Sequence, residues 1–97
     1  MVTETFIPAE VRFDGACIPE VFVLVLHDPD SDNPHGSLTT HHPLPVGARG
    51  RLEAVATRGG ERWQITLTQI EVHNSTAVGC EFAVFGPVCR VRLSADG

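Results

Sequence analysis

The segment HDPDSDNPHG places three aspartates at alternate positions beside two histidines, directly after the apolar run VFVLVL. Asp28, Asp30 and Asp32 match the first three ligand positions of a calcium-binding loop, which supplies hard oxygen ligands at alternate residues. The sixth position is Asn33 rather than glycine, and the twelfth is Thr39 rather than glutamate. A surface turn is the competing interpretation, because Asp, Ser, Asn and Pro are common turn residues.

Histidines near this segment offer a second metal chemistry. His35, His41 and His42 carry neutral imidazoles, which suit zinc, nickel or copper. On a strand His41 and His42 point to opposite faces, so at most one of them can join His35. A two-histidine site completed by an aspartate is one alternative, and a solvated turn before a proline is the other.

The residues that could act as nucleophiles lack the setting that catalysis requires. Ser31 has Asp and His neighbours in sequence, but there is no GxSxG elbow, and adjacency in the chain does not create a triad. Cys17 lies in the turn-like stretch DGACIPE among acidic residues, whereas a catalytic cysteine needs a base and a cationic setting. We therefore predict a protein that is not an enzyme and needs no cofactor. The candidate ligand-binding residues of the acidic segment are Asp28, Asp30, Ser31 and Asp32.

Apolar residues alternate along most of the chain. Proline or glycine interrupts every window in which apolar residues could recur with the 3.6-residue period of a helix. This pattern predicts an all-β fold, a small antiparallel barrel of six to seven strands rather than a sandwich. The 97 residues suffice for one domain, residues 1–97, with a core over about 5–93 and a frayed C-terminus. Gly59 and Gly60 predict a tight hairpin.

Finer features of three strands can also be predicted. In the first strand, Ile7, Ala9, Val11 and Phe13 share one face, and Pro8 favours an edge position. The later strand RWQITLTQIEVH changes its alternating phase near Thr68, which predicts a β-bulge.

The last part of the chain is predicted to form two strands, AVGCEFAVF and VCRVRL, separated by Gly86-Pro87. Alternation places Cys80 with Phe82 in the core of the first strand and Cys89 with Val91 in that of the second. An odd number of cysteines without a CxxC spacing indicates reduced thiols.

The charge and the apolar pattern limit the partners. A formal net charge of −5 argues against nucleic acid polymers, which are bound through cations, and against anionic membranes. The longest apolar stretch, Val21 to Leu26, is too short to span a bilayer, and no basic segment leads into an apolar run at the N-terminus. We expect a cytoplasmic protein.

Two segments resemble the PilZ family of small six-stranded bacterial barrels, whose sequences often read "plpvG" and, about thirty residues later, "vGvEF". PLPVG ends at Gly47, and VGCEF contains Gly79, so the resemblance covers about residues 5–85. Family members bind cyclic di-GMP through an RxxxR pair ahead of the barrel and a [DN]xSxxG motif. Here Arg12 is the only basic residue before Arg49, and Asp30, Ser31 and Gly36 have the wrong spacing. The resemblance implies a degenerate member that does not bind the dinucleotide; a cyclic di-GMP-responsive domain is the alternative.

The segment GCEFAVFGPVCRVRL is similar to the closing hairpin of the C-terminal barrel of the elongation factor Tu group. The final alternating VCRVRL favours this second family, because PilZ domains usually end in a helix. This resemblance also implies a small barrel that binds partners without catalysis.

The function predicted from the sequence is that of a non-enzymatic protein-binding adaptor, either with a protein partner or as a homodimer. Phe6, Phe22 and Phe85 are candidate contact residues, since large aromatics anchor interfaces, although they could equally fill the core of so small a barrel. The acidic composition also fits an immunity or antitoxin-type inhibitor that covers a basic enzyme, and the histidines and aspartates of residues 27–42 also fit a metal-binding protein.

Overall fold

The computed structural model describes residues 2–93, and every regular element among them is a β-strand. None of the described residues belongs to a helix long and apolar enough to cross a membrane. The predicted frayed end falls on residues 94–97, outside the described residues. The seven strands are Thr3–Phe13 (β1), Ala16–Cys17 (β2), Val21–His27 (β3), His35–Thr40 (β4), Arg49–Arg58 (β5), Glu61–Thr76 (β6) and Gly79–Arg92 (β7).

Six of the strands close into an antiparallel barrel. The order is β1-β3-β4-β7-β6-β5, and β5 pairs again with β1, while the short β2 pairs with β1 as an extra strand. Strand β1 divides its length between two neighbours: its first residues pair with β3 and its remaining residues pair with β5. The predicted all-β barrel is confirmed.

Alternating side chains of the six barrel strands fill one apolar core. Phe6, Leu24, Leu67, Ile70 and Phe82 are each no more than 1% exposed. Burying each large apolar side chain contributes roughly 1.5–3 kcal/mol, so this core is the main source of the stability of the fold.

Glycine is required at two kinds of position. Gly59 and Gly60 have φ angles of 61° and 80° and join β5 to β6 where Arg58 pairs with Glu61, which confirms the predicted two-residue hairpin. Gly36 stands opposite Phe82 in the β4–β7 ladder. A Cβ atom at Gly36 would lie 2.9 Å from Cζ of Phe82, so the absent side chain makes room for the ring.

The predicted β-bulge near Thr68 is confirmed. The pairing of β6 with β5 passes from Leu52–Leu67 to Gly50–Ile70, so Thr68 and Gln69, both exposed, stand opposite the single residue Arg51. The pairing of β6 with β7 also shifts here, between Leu67 and Gln69. On β7 the shift falls at Gly86, whose φ is 100°. The predicted break at Gly86-Pro87 is wrong, because a bulge lets the chain pass this point and continue as the single strand β7.

A second bulge corrects the predicted phase of β1. The pairing of β1 with β5 shifts between Pro8 and Glu10. Phe6 and Val11 therefore face the core, whereas Ile7 is 57% exposed and Ala9 is also exposed. Pro8 lies at this bulge inside the closed barrel rather than on an edge strand, since a bulge tolerates the missing N–H group.

The cysteines divide between the core and the surface. Cys80 is buried as predicted, and burial raises the pKa of its thiol, opposed by a hydrogen bond with the backbone of Leu44. Cys89 is exposed and Val91 is 51% exposed, so their predicted core position is wrong. The inward phase of Cys80 and Phe82 continues past Gly86, which turns Val88 and Arg90 inward instead.

Candidate functional site

The acidic segment between β3 and β4 folds into a turn that is held by hydrogen bonds to Val2 and within the segment itself. Asp28 has a φ of 48°, its Oδ1 accepts the N–H of Val2 at 2.9 Å, and its own N–H donates to the carbonyl of Val2 at 2.7 Å. The hydroxyl of Ser31 donates to the carbonyl of Asp28 at 2.7 Å and accepts the N–H of Asn33 at 3.2 Å. The side chains of Asp28 and Ser31 therefore stabilise the turn itself.

The other two aspartates of this segment, Asp30 and Asp32, differ in their contacts. Asp30 Oδ1 accepts a hydrogen bond from Nη2 of Arg90 at 2.5 Å. Asp32 is exposed and makes no hydrogen bond or ion pair within residues 2–93. No group of three His, Cys, Asp or Glu side chains in the described part of the chain could hold a metal ion. Asp28, Asp30 and Asp32 thus have different surroundings, and the binding of a ligand or cation by this segment stays a prediction.

The three candidate histidines lie at opposite ends of β4. His35 stacks on His27, with ring centroids 5.1 Å apart, and its Nδ1 is 3.2 Å from the carbonyl of Asn33. At the other end, Nε2 of His42 and Nδ1 of His41 lie 2.9 and 3.8 Å from Oε1 of Glu20. Strand β4 ends at Thr40, so the strand rule that separates His41 from His42 does not apply. Neither of them joins His35.

A groove forms where the acidic turn lies beside β7. Residues 31–35 line one side and residues 83–87 line the other, and they enclose a volume of about 510 Å³. Phe85 is 52% exposed here and stands near the proline rings of Pro34 and Pro87. The structure thus brings Ser31, Asp32 and Phe85 of the predicted candidates, together with His35, into one surface feature.

The other two candidate phenylalanines lie elsewhere. Phe6 is 1% exposed, so its predicted role at a contact surface is wrong and it is a core residue. Phe22 is 46% exposed, but it packs edge-on against His41 at 5.0 Å, at the opposite end of β3 from the groove. Phe85 is therefore the candidate phenylalanine that both is exposed and lines the groove.

A smaller cavity of about 220 Å³ lies at the end of the barrel and was not predicted from the sequence. Its walls include Glu4, Phe6, Trp63 and Arg90, and the guanidinium of Arg58 lies 5.9 Å from the centre of the Phe6 ring. Nη1 of Arg90 donates to Oε2 of Glu4 at 2.5 Å. Oε1 of Glu4 and Nε1 of Trp63 are buried without a hydrogen-bond partner among the described residues.

Arg90 connects the cavity with the acidic turn. Its side chain is 20% exposed, and its guanidinium bonds Glu4 on the barrel side and Asp30 on the turn side. The hydrogen bond to Glu4 raises the pKa of Arg90, and burial opposes this effect. The sequence carried no signal for this residue, because the predicted phase of VCRVRL placed Arg90 outside.

Comparison with known proteins leaves the family open. No protein-family model, no curated protein and no solved structure matches the chain. A small barrel suits both families that the sequence resembles, so both resemblances stay predictions. The geometry of the groove is the remaining guide to function.

Proposed function

We propose that the chain is a non-enzymatic protein-binding module whose groove receives an apolar side chain of a protein partner. The observation that carries the proposal is the position of Phe85, half exposed in a groove that also contains Pro34 and Pro87. Exposed aromatic residues beside a concavity are typical anchors of interfaces, because a partner side chain removes their surface from water.

The charge of the groove favours a basic partner. Asp32 has no partner within the described residues, and the chain carries a formal net charge of −5. A lysine or arginine of the partner would compensate Asp32 at the rim of the groove. Such rim charges mainly raise the association rate and select the partner, while the apolar contact provides most of the affinity.

We further propose that cyclic di-GMP is not a ligand of this module. Two phosphates require charge-assisted donors, which arginine supplies best. Arg90 is the arginine next to the acidic turn, and its guanidinium is already bonded to Glu4 and Asp30. Titration calorimetry with cyclic di-GMP should detect no binding. Saturable heat at micromolar ligand would reject this proposal and support the signalling alternative.

The contact surface can be tested by photo-crosslinking in cells. A photoreactive phenylalanine analogue in place of Phe85 should form an adduct with a protein partner. The same analogue in place of Phe22, which is similarly exposed but lies away from the groove, is the matched control. Adducts from the Phe22 position alone would place the interface on the other end of the barrel and overturn the proposal.

The crosslinked partner, once purified, allows a quantitative test. Phe85→Ala should weaken its binding by at least about tenfold, or ~1.4 kcal/mol, because the central apolar anchor is lost. Asp32→Asn should weaken it by at most about fivefold, since an exposed ion pair contributes ~1 kcal/mol or less. Phe22→Ala should leave the dissociation constant unchanged. Equal affinity of all three variants would contradict the assignment of the groove.

A further inference from the structure

Strand β7 extends beyond the end of its neighbour β4. The last residue pair between these strands is His35 with Ala83, and the N–H of Val84 donates to the carbonyl of Pro34 at 2.9 Å. From there β7 continues to Arg92 with pairing to β6 only. The second half of β7 therefore has one paired edge and one edge that no described strand covers.

The direction of the backbone groups along this segment follows from two hydrogen bonds. Consecutive residues of an antiparallel strand point their N–H and C=O groups to opposite edges. Val84 bonds on the β4 side, and the N–H of Leu93 donates to the carbonyl of Arg62 at 2.8 Å on the β6 side. The bond of Val84 fixes this direction ahead of the bulge at Gly86, and the bond of Leu93 fixes it beyond the bulge, so Val88, Arg90 and Arg92 face away from β6.

The uncovered edge consequently presents the backbone groups of Val88, Arg90 and Arg92. Residues 88–92 extend over roughly 15 Å at 3.3 Å per residue, which is enough for a strand of about five residues. The groove with Phe85 lies at the beginning of this edge, and Val91 is 51% exposed at its far end. Such a row of N–H and C=O groups is a template for another extended chain.

We infer that an extended segment of a basic protein partner adds to this edge as a further β-strand. Its backbone pairs with Val88, Arg90 and Arg92, and one of its apolar side chains enters the groove beside Phe85. This mode deepens the proposed function, on which it rests. It adds backbone pairing as the source of affinity and uses the groove to select the side chain, as in β-strand addition generally.

The partner is a different protein rather than a second copy of this chain. Two copies would each bring a formal net charge of −5 to the contact. A basic segment instead meets Asp32, whose carboxylate has no partner among residues 2–93.

The probe for the test is a nine-residue linear peptide selected against the full-length protein from a phage-displayed library. We expect selected peptides with alternating apolar residues and at least one Lys or Arg. N-methylation of the peptide should reduce affinity more than tenfold at every second position and have little effect between them. A uniform effect, or peptides without this alternation, would overturn the strand assignment.

Amide hydrogen exchange gives a second readout on the protein itself. In the free protein, the amides of Val88, Arg90 and Arg92 should exchange much faster than those of Val91 and Leu93, which face β6. Bound peptide should slow the first three amides and leave the other two unchanged. Protection of Val88, Arg90 and Arg92 without peptide, accompanied by a dimer on a sizing column, would identify a second copy as the occupant and reject the inference.

Proline substitutions separate backbone pairing from side-chain contact. Arg92→Pro removes an outward N–H and should abolish peptide binding, whereas Arg92→Ala keeps that N–H and should bind within about twofold of the wild type. Both variants should unfold at similar temperatures. Val91→Pro removes an N–H that faces β6 and should lower the unfolding temperature.

The two proposals fail in different ways. If Phe85→Ala loses the peptide and Arg92→Pro retains it, the groove binds a partner but backbone pairing is rejected. If Arg92→Pro loses the peptide and Phe85→Ala retains it, the edge is the site and the groove is not. If both variants retain it, both proposals are wrong.

Discussion

Glu4 and Arg90 join the first and last strands of the barrel, with Oε2 and Nη1 2.5 Å apart and only 15% and 20% of the two side chains exposed. The other terminal nitrogen of the Arg90 guanidinium, Nη2, donates a hydrogen bond to Asp30. One guanidinium thus connects β1, β7 and the acidic turn. Because the turn forms one wall of the groove, this ion pair helps to set the position of that wall.

Arg90→Ala should lower the free energy of unfolding by about 2–3 kcal/mol, because the largely buried carboxylate of Glu4 loses its charged partner. Arg12→Ala is the matched control, since its ion pair with Glu10 has both side chains more than 40% exposed. That control should change stability by about 0.5 kcal/mol or less. Urea denaturation followed by circular dichroism measures both. Equal losses would mean that Arg90 contributes no more than a surface charge.

Gly36→Ala should destabilise the barrel by about 1–3 kcal/mol, the usual cost of overpacking. The added Cβ would meet the carbonyl oxygen of Val25 at 2.5 Å and Cζ of Phe82 at 2.9 Å, and backbone cannot move aside as a flexible side chain can. Ser37→Ala on the neighbouring position is the control. Thermal unfolding of both variants tests the prediction. An unchanged unfolding temperature of Gly36→Ala would show that the contact between Gly36 and Phe82 leaves room for a methyl group.

Cys80 should be the slowest of the three thiols to react with iodoacetamide in the native protein, because it is buried whereas Cys17 and Cys89 are exposed. Burial raises the pKa of Cys80 from its ordinary value of 9.0. The unfolded chain therefore ionises first as the pH rises, so this stabilising contribution is complete below pH 9 and is lost above it. Mass spectrometry of alkylated peptides measures the rates, and Cys80→Ala should weaken the alkaline loss of stability. Equal labelling of all three cysteines would contradict the burial.

Trp63→Phe should change the free energy of unfolding by less than about 1 kcal/mol, because the lost volume is offset by removal of a buried, unpaired N–H. Trp63→Ala removes the ring altogether and should cost about 3 kcal/mol or more. Circular dichroism is the suitable signal, since Trp63 is the only tryptophan in the chain. Comparable losses for both variants would indicate that Nε1 has a partner in solution.

The pattern of the sequence predicts local features of this fold well. Alternation identifies the strands, Gly59 and Gly60 identify the hairpin, and the change of phase near Thr68 identifies a bulge. These features depend on neighbouring residues alone. The phase of Phe6 and Ile7 was wrong because the bulge after Pro8 depends on pairing with the distant strand β5.

The candidate site required the closed barrel. Phe85 and Asp32 could be named from residue type, but the sequence does not indicate that β7 lies beside the acidic turn. Arg90 was missed for the same reason, since its partners Glu4 and Asp30 are far away along the chain. The extension of β7 beyond β4 likewise depends on the register between strands, and this register is set by how the whole barrel closes.

The division of β1 between β3 and β5 bears on how fast the chain folds. The hairpin of β5 and β6 joins residues that are close in sequence, so it can nucleate early. Ile7 pairs with Thr57, and this pairing closes a large loop of chain. Loop-closure entropy opposes that encounter, so we expect barrel closure by the second half of β1 to occur late and limit the rate. Substitutions at Val11 should then slow refolding, because Val11 pairs with β5 in the rate-limiting step.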